Sequence, residues 1–452
     1  MPNRPIILNA FNENCVGHIN HGLWTHPRDR SGEYNTLEFW TGMARTLERG
    51  LFDGIFIADV LGAYDLYDGG LDLTLREAVQ LPINDPMLLV SAMAAATSHL
   101  GFGVTVNALS EHPYLLARRF STLDQLTRGR FGWNVVTGYL DSAARAIGLD
   151  NQIVHDERYD RADEALDVIY QLLEGSWEDG AVRRDKAARV FTDPSKVHPI
   201  RHHGRWYDVE GVHLSEPSPQ RTPVLYQAGT SGRGQRFAAR HAEAIFIAGS
   251  DKGVVRRTVQ ALRSAAQEAG RRPEDVKIVL AITVVPGRTA AEARDRHDEY
   301  ARYASPEAGL AHFSASVGVD LSRYGLDDPI RLEGTNAIQS AAKAIEHLGG
   351  TRRKLLEHFR LGGRYPAIVG DASQVADALQ SWVEDTGIDG FNLARTVVPE
   401  SFEDFVDIVV PALQDRGLHK TAYAPGTLRQ KLFGAGDRLP ERHAAARFRR
   451  AG

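Results

Sequence analysis

Eight short apolar runs, rich in β-branched residues, recur along the chain with helix-like stretches between them. They are IILNAF (from Ile6), GIFIADV (Gly54), FGVTVNALS (Phe102), FGWNVVTG (Phe131), PVLYQAG (Pro223), AIFIAG (Ala244), VKIVLAITVV (Val276) and DGFNLARTVV (Asp389). Such alternation marks parallel strands joined by crossover helices, and eight is the number at which a parallel sheet closes on itself. The predicted fold is therefore α/β, a (β/α)8 TIM barrel. A doubly wound sheet would want a glycine-rich turn after its first strand, but IILNAF is followed by NENCVGH, and the GAGDRLP near the C-terminus follows no strand. No dinucleotide-binding module of the chain's own is expected.

The helical stretches carry their own start and stop signals. Asn35 with Glu38 reads as a capping box, after which Trp40, Met43, Ala44 and Leu47 share a face and Gly50 ends the helix. Pro86 takes a first-turn position after Asn84 and Asp85, and Ala162, Leu166, Ile169, Tyr170 and Leu173 form a stripe after the acidic turn HDERYD. Val375, Leu379, Trp382 and Val383 repeat the spacing before the last strand. Two polar segments, about 175–222 and 305–368, interrupt the alternation and are expected as insertions after the fourth and seventh βα units, where loops build or cover a barrel's active site. One domain spans residues 1–419, and a basic tail, 420–452, is expected to wrap a neighbouring surface or a partner subunit.

Composition narrows the function classes. A chain of 452 residues with 43% hydrophobic content can bury a large core, and 53 Lys+Arg against 58 Asp+Glu, with no long basic run ahead of the extreme C-terminus, argues against nucleic acid as a partner. One cysteine makes no internal disulfide, and MPNRPIILNAFNEN has too short an apolar run for a secretory leader, so a reducing, cytoplasmic compartment is expected. PMLLVSAMAAATSHLG is broken by Ser, Thr and His before it reaches the roughly 20 residues a bilayer core demands, so no membrane span is expected.

In a barrel, residues at the C-terminal ends of strands face the catalytic mouth. That rule selects Phe11, Asn12 and Cys15, then Asp59 and Tyr64, Thr105 and Asn107, Asn134 and Tyr139, and Thr230 and Ser231. The turn TSGRG offers backbone N–H groups, two hydroxyls, Arg233 and glycines at a helix start, a plausible phosphate cradle that any βα turn can also resemble. His155 and Tyr159, four apart at another helix start, can reach the same phosphate or simply cap and pack. His198, His202, His203 and His213 lie in a loop-like segment broken by Pro199, without an H-E-x-x-H pattern, and no metal site is expected there. Cys15 with His18 admits a nucleophile and base, or a small buried thiol beside a pocket.

Longer motifs go further. LNAFNENCVGHINHGLWTHP, FDGIFIADVLGAYDLYDGG, REAVQLPINDP, EHPYLLARRFSTLDQLTRGRFGWNVVTGYL, HDERYDRADE, EGSWEDGAV, FTDPSKVHPI and EPSPQRTPVLYQAGTSGRG resemble the flavin monooxygenases of the bacterial luciferase-like superfamily. They are most similar to its nitrilotriacetate monooxygenase, pristinamycin synthase and dibenzothiophene sulfone monooxygenase branch, and within it to enzymes acting on long-chain alkanes and dimethyl sulfide. The resemblance runs from about residue 7 to 249 and resumes at about 371, while 305–368 matches poorly.

The resemblance implies a barrel that binds reduced FMN at its mouth, with the flavin supplied by a separate NAD(P)H:FMN reductase and O2 as co-substrate. One oxygen atom would pass, through a flavin peroxide, to a small organosulfur or alkane-like substrate. By motif, Asp59, Thr105, Asn134, His155, Tyr159, Thr230 and Ser231 fall at cofactor positions, the last four at the phosphate. His18, Tyr64 and His312 fall at catalytic positions, and Cys15 and Gln80 at substrate-side positions, as does Tyr139, where the alkane-oxidising enzymes are expected to carry histidine. A homodimer or homotetramer is implied. The alternatives are a deazaflavin-dependent hydride-transfer enzyme on the same barrel, a non-catalytic flavin-binding protein, and a metal-dependent barrel hydrolase.

Overall fold

The computed structural model describes residues 5–229, 231–331, 349–361 and 365–450. All eight apolar runs are strands: β1 (Ile7–Glu13), β2 (Gly54–Ala58), β3 (Gly101–Asn107), β4 (Phe131–Val136), β5 (Val224–Gln227), β6 (Ala244–Ile247), β7 (Lys277–Pro286) and β8 (Gly390–Ala394). Each pairs in parallel with the next, and β8 returns to β1 with Asn392 opposite Asn9 and Ala394 opposite Phe11, so the sheet closes into the predicted barrel. A further strand, Ala367–Gly370, pairs only with the upper end of β7, Thr283–Pro286. Four residues at the edge of a polar segment carry too little pattern to have been read as a strand.

Strand alternation divides the core into two layers. Ile55, Ile57, Phe102, Val104, Phe131 and Trp133 face the helices, whereas Phe56, Val224, Tyr226, Phe246 and Val279 fill the lumen. Glycine at 132 permits this filling, because a Cβ there would lie 2.5 Å from the Tyr226 ring. Asn12, expected at the mouth, instead faces outward, its Nδ2 3.4 Å from the sulfur of Met43.

Helix Leu37–Arg49 buries Trp40, Met43, Ala44 and Leu47 and ends at Gly50, but its cap is Thr36, whose hydroxyl accepts from the Phe39 N–H, rather than Asn35. Helix His155–Tyr170 buries Ala162, Leu166, Ile169 and Tyr170 of its predicted stripe, with Leu173 buried in the turn that follows, Gln171–Gly175. Helix Ala372–Thr386, started by an Asp371 and Gln374 capping box, buries Val375, Leu379 and Trp382, with Val383 half-buried. Two short antiparallel hairpins, Val182–Asp185 with Val190–Thr192 and Ile200–His203 with Asp208–Gly211, lie between helix His155–Tyr170 and β5. Helices Ala290–Ala301, Pro306–Val317 and Arg352–His358 follow β7, and the last two enclose a satellite core of Leu310, Phe313, Leu321, Leu355 and Phe359.

The tail seats on its own barrel. Its helix Leu428–Phe433 inserts Leu428 into the lumen cluster beside Phe56, Tyr226 and Phe246. Among the described residues no helix is long and apolar enough to cross a membrane.

Candidate active site

The site is assembled from the loops after β1, β2, β4 and β5 together with helix Pro306–Val317. After β1 the chain turns so that the Cys15 backbone bridges to Ile83 and Gly17 bridges to Val79, which brings the segment around Gln80 to the mouth. Gln80 itself adopts a left-handed conformation, with φ of 53°, unusual for a residue with a side chain. Its amide Oε1 accepts a short hydrogen bond from the Tyr64 hydroxyl, and both side chains are buried. Since that commits the one proton of Tyr64, Tyr139 is the donor in the 3.2 Å contact between the two tyrosine hydroxyls. On its other side Tyr64 stacks on the His312 ring, with centroids 4.8 Å apart and planes 21° from parallel. His312 Nδ1 lies 3.1 Å from His21 Nε2. Tyr64, Gln80, Tyr139 and His312, predicted separately, thus form one wall, which His21 extends.

His18 sits edge-on to the Phe11 ring, with centroids 4.5 Å apart, and is buried. Cys15 is fully buried, its thiol 3.4 Å from Glu13 Oε2 and 3.2 Å from the Gly17 carbonyl. Burial first, and then the Glu13 charge, raise the Cys15 thiol well above its usual range, so it stays protonated and is no thiolate nucleophile. Burial, reinforced by Asp59 and opposed by the Cys15 hydrogen bond and Arg395, pushes the Glu13 carboxyl up to about 8. Asp59, at the end of β2, is pushed up to about 7 by burial and by Asp85, with the Val60 N–H opposing. Such raised carboxyls hold a proton near neutral pH.

Deeper in the lumen, Asn134 Nδ2 donates to Thr105 Oγ1 at 2.9 Å across β3 and β4. The buried Asn134 Oδ1 has no hydrogen-bond partner among the described residues, so an acceptor is left for a donor from a bound molecule.

The third group surrounds the N-terminus of helix Gly232–His241. Ser231 caps that helix, its Oγ accepting from the Gly234 N–H at 3.0 Å, and lies 3.3 Å from His155 Nε2. The rings of His155 and Tyr159 are 5.2 Å apart, centroid to centroid. Cβ atoms at Gly229 and Gly234 would lie 2.6 Å and 3.0 Å from the Tyr159 hydroxyl, so both glycines keep a small polar recess open. Thr230 lies outside the described residues. Arg233, read as part of the phosphate cradle, instead pairs with Asp160 and Asp163 on the neighbouring helix.

The metal alternative gains nothing from the four histidines, of which His202 and His203 lie in strand Ile200–His203 and not in a loop, because they take separate partners: Glu178 for His198, Glu164 for His202, Asp208 for His203 and Ser121 for His213. Sequence reasoning assigned no site role to Glu13, His21 or Arg395, although His21 stands close behind Cys15 and His18 in NENCVGHINHGLW. Arg395 follows β8, where the strand-end rule would have found it, and its Nη2 holds the carbonyls of Cys15 and Val16 at 2.8 Å. Glu13 closes β1 by the same rule.

A polar wall and a glycine-lined helix N-terminus at the C-terminal mouth of a closed parallel barrel are the features of a barrel enzyme that takes a phosphorylated cofactor. The family model for luciferase-like monooxygenases matches residues 20–390, and the chain belongs to that family. It is 48% identical over 451 residues to the dimethyl-sulfide monooxygenase of Hyphomicrobium sulfonivorans, covering 99% of this chain and 94% of that one. It is equally, 48%, identical over 447 residues to the long-chain alkane monooxygenase of Geobacillus thermodenitrificans, covering 99% and 98%. A crystal structure of long-chain alkane monooxygenase superposes with a TM-score of 0.93 over 99% of this chain and 100% of that one. A riboflavin lyase, solved with modified FMN and riboflavin, superposes with a TM-score of 0.94 at 34% identity, over 99% and 100%. The family, the barrel and the monooxygenase class expected from the motifs are thereby established, and hydride transfer to a deazaflavin is not favoured.

Proposed function

We propose that the protein is the oxygenase of a two-component system, taking reduced FMN from a separate NAD(P)H:FMN reductase and placing one atom of O2 on a small organosulfur or alkane-like substrate. The observation that carries this is the equal identity, 48% over 99% of the chain, to a dimethyl-sulfide and a long-chain alkane monooxygenase. The need for a reductase is supported by the turn after β1, NENCVGH, which lacks the glycines of a dinucleotide site.

The residues fit FMN. His155, Tyr159 and Ser231, with the N–H groups of the helix they flank, suit its phosphate, and Thr230, next to Ser231 in the sequence, is assigned to it by motif. Asp59, Thr105 and the open acceptor of Asn134 suit its ring. When bound, reduced FMN supplies the activation of O2.

The chain's own groups then bind, orient and exclude water. His18, Tyr64 and His312 serve as the hydrogen-bonding groups of the reaction space, and Cys15, Gln80 and Tyr139 as the substrate wall. With Tyr64 donating to Gln80 and accepting from Tyr139, the phenol is fixed before substrate arrives. Helix Pro306–Val317 buries His312, which keeps water from that wall. Assembly into a homodimer or homotetramer belongs to the reading as what the family resemblance implies.

Anaerobic mixing with reduced FMN, followed by 18O2 and a panel of thioethers, sulfones and alkanes, tests the reading by product mass. One 18O atom in product from at least one class is expected. FMN binding with no oxygen transfer to any member of the panel would overturn it.

A further inference from the structure

The His21 side chain has no role in the function proposed above, yet it makes the side-chain link between the β1 loop and His312. His21 Nε2 and His312 Nδ1 are 3.1 Å apart, with the rings edge to face at 5.3 Å. Both imidazoles are buried, with 3% and 4% of their surface accessible. The same residue holds the helix that carries His312 by its backbone, since the His21 carbonyl accepts from the N–H of Ser305, the cap of helix Pro306–Val317, at 2.9 Å. Gly22, at φ +89°, permits that approach, because a Cβ there would lie 2.5 Å from Ser305 N and Tyr303 O.

Two attachments seven residues apart, about two helical turns, fix both the position of this helix and its rotation about its axis. The first is backbone and survives any substitution at 21, whereas the second is the imidazole alone. A neutral imidazole carries one N–H and one lone pair, so a hydrogen bond at Nδ1 decides which of the two its Nε2 presents.

We infer that His21 is the positioning residue that holds His312 in a single ring tautomer and orientation against Tyr64, through the hydrogen bond between His21 Nε2 and His312 Nδ1. The inference rests on the proposed place of His312 in the reaction space. Glutamine at 21 has a comparable reach and offers both a donor and an acceptor, so it can replace the bond in either direction, and phenylalanine keeps the ring but loses the bond.

The test compares H21F, H21Q and H312N with the unsubstituted protein by product formed per O2 consumed, substrate KM and FMN affinity. It is joined by 15N spectra of histidine-labelled, flavin-free protein. H21F is expected to lower product per O2 by about fivefold, the scale of one buried hydrogen bond, with KM and FMN affinity within about twofold, and H21Q is expected to recover most of the loss. The 15N shifts of His312 should report one tautomer in the unsubstituted protein and an average of two in H21F. Unchanged yield in H21F beside an impaired H312N, or averaged shifts in the unsubstituted protein, would overturn the inference alone. Unchanged yield in H312N would instead overturn the place given to His312, and the inference with it.

Discussion

The Arg429 guanidinium of the tail lies on the Glu243 carboxylate, Nε to Oε1 2.6 Å and Nη2 to Oε2 2.8 Å, with both side chains buried. Arg429 also donates to the carbonyls of Thr222, Gln220 and Asp437, and Glu243 accepts from the Leu225 N–H. The pair therefore ties the tail to the start of β5 and to the residue ahead of β6. Of the two places expected for the tail, a neighbouring surface or a partner subunit, the segment around Arg429 takes the first, as part of the barrel's own floor.

Replacing Arg429 with Ala leaves Glu243 charged and buried with its main partner gone. Losing one member of such a pair costs about 3–5 kcal/mol, so R429A is expected to unfold at markedly lower denaturant than the unsubstituted chain. An R429A midpoint within experimental error of the parent would show that the tail is only laid on the surface.

The recess proposed for the FMN phosphate makes a prediction about ligand choice. A Cβ at 229 would lie 2.4 Å from Gln227 Nε2 and 2.6 Å from the Tyr159 hydroxyl, closing space beside Ser231 without touching the lumen around Asn134. G229A is expected to weaken FMN binding by about tenfold, near 1.4 kcal/mol, and to leave riboflavin binding nearly unchanged. Equal losses for the two flavins, read by fluorescence quenching, would place the phosphate elsewhere.

The same contrast shows what the sequence could convey. Strand number, strand order and the buried faces of the helices follow from local periodicity, and all eight strands were legible from it. The clustering of the residues proposed to hold the phosphate was legible as well, because Ser231 and its glycines are contiguous and His155 and Tyr159 share one helix face. The wall was not legible from pattern. His21 and His312 are 291 residues apart, and the Gln80 side chain reaches Tyr64 only because the backbone at 80 turns left-handed. Resemblance to a family named four of those residues, but their hydrogen bonds, and the presence of His21 among them, emerged only when the loops were assembled. The capping error has a smaller cause: Asn35 and Thr36 are both good caps, and only the backbone geometry chooses between them.

Glu13 predicts a pH dependence of stability. Its carboxyl is raised from 4.5 to about 8 in the fold, first by burial and then by Asp59. A raised folded pKa means that the native state holds the proton more tightly than the unfolded chain. The associated stability is fully present below about 4.5 and is lost as pH rises through about 8. E13Q cannot ionise, so its melting temperature minus that of the parent should be small at pH 5, grow up to about pH 8 and level off above it. A difference that stays constant across that range would mean that Glu13 titrates as an ordinary surface acid.

Tyr64 and Tyr139 share one hydrogen bond but predict unequal losses. Y139F removes a donor from a half-buried hydroxyl, and the Tyr64 oxygen left behind still donates to Gln80. Y64F removes the one hydroxyl that, among the described residues, donates to the Gln80 carbonyl oxygen, and Gln80 is 5% exposed. An unsatisfied buried acceptor costs about 1–3 kcal/mol, while one partly exposed hydrogen bond is worth about 1 kcal/mol or less. Y64F should therefore be the less stable variant by denaturant midpoint, and should also lose more product per O2 consumed, because the Gln80 amide and the His312 ring both rest against that phenol. Y139F should chiefly change which substrates are accepted, measured as a shift in relative kcat/KM between a thioether and an alkane of similar size. If Y139F proved the more damaging of the two in stability and in yield alike, the direction assigned to the chain from Tyr139 through Tyr64 to Gln80 would be wrong.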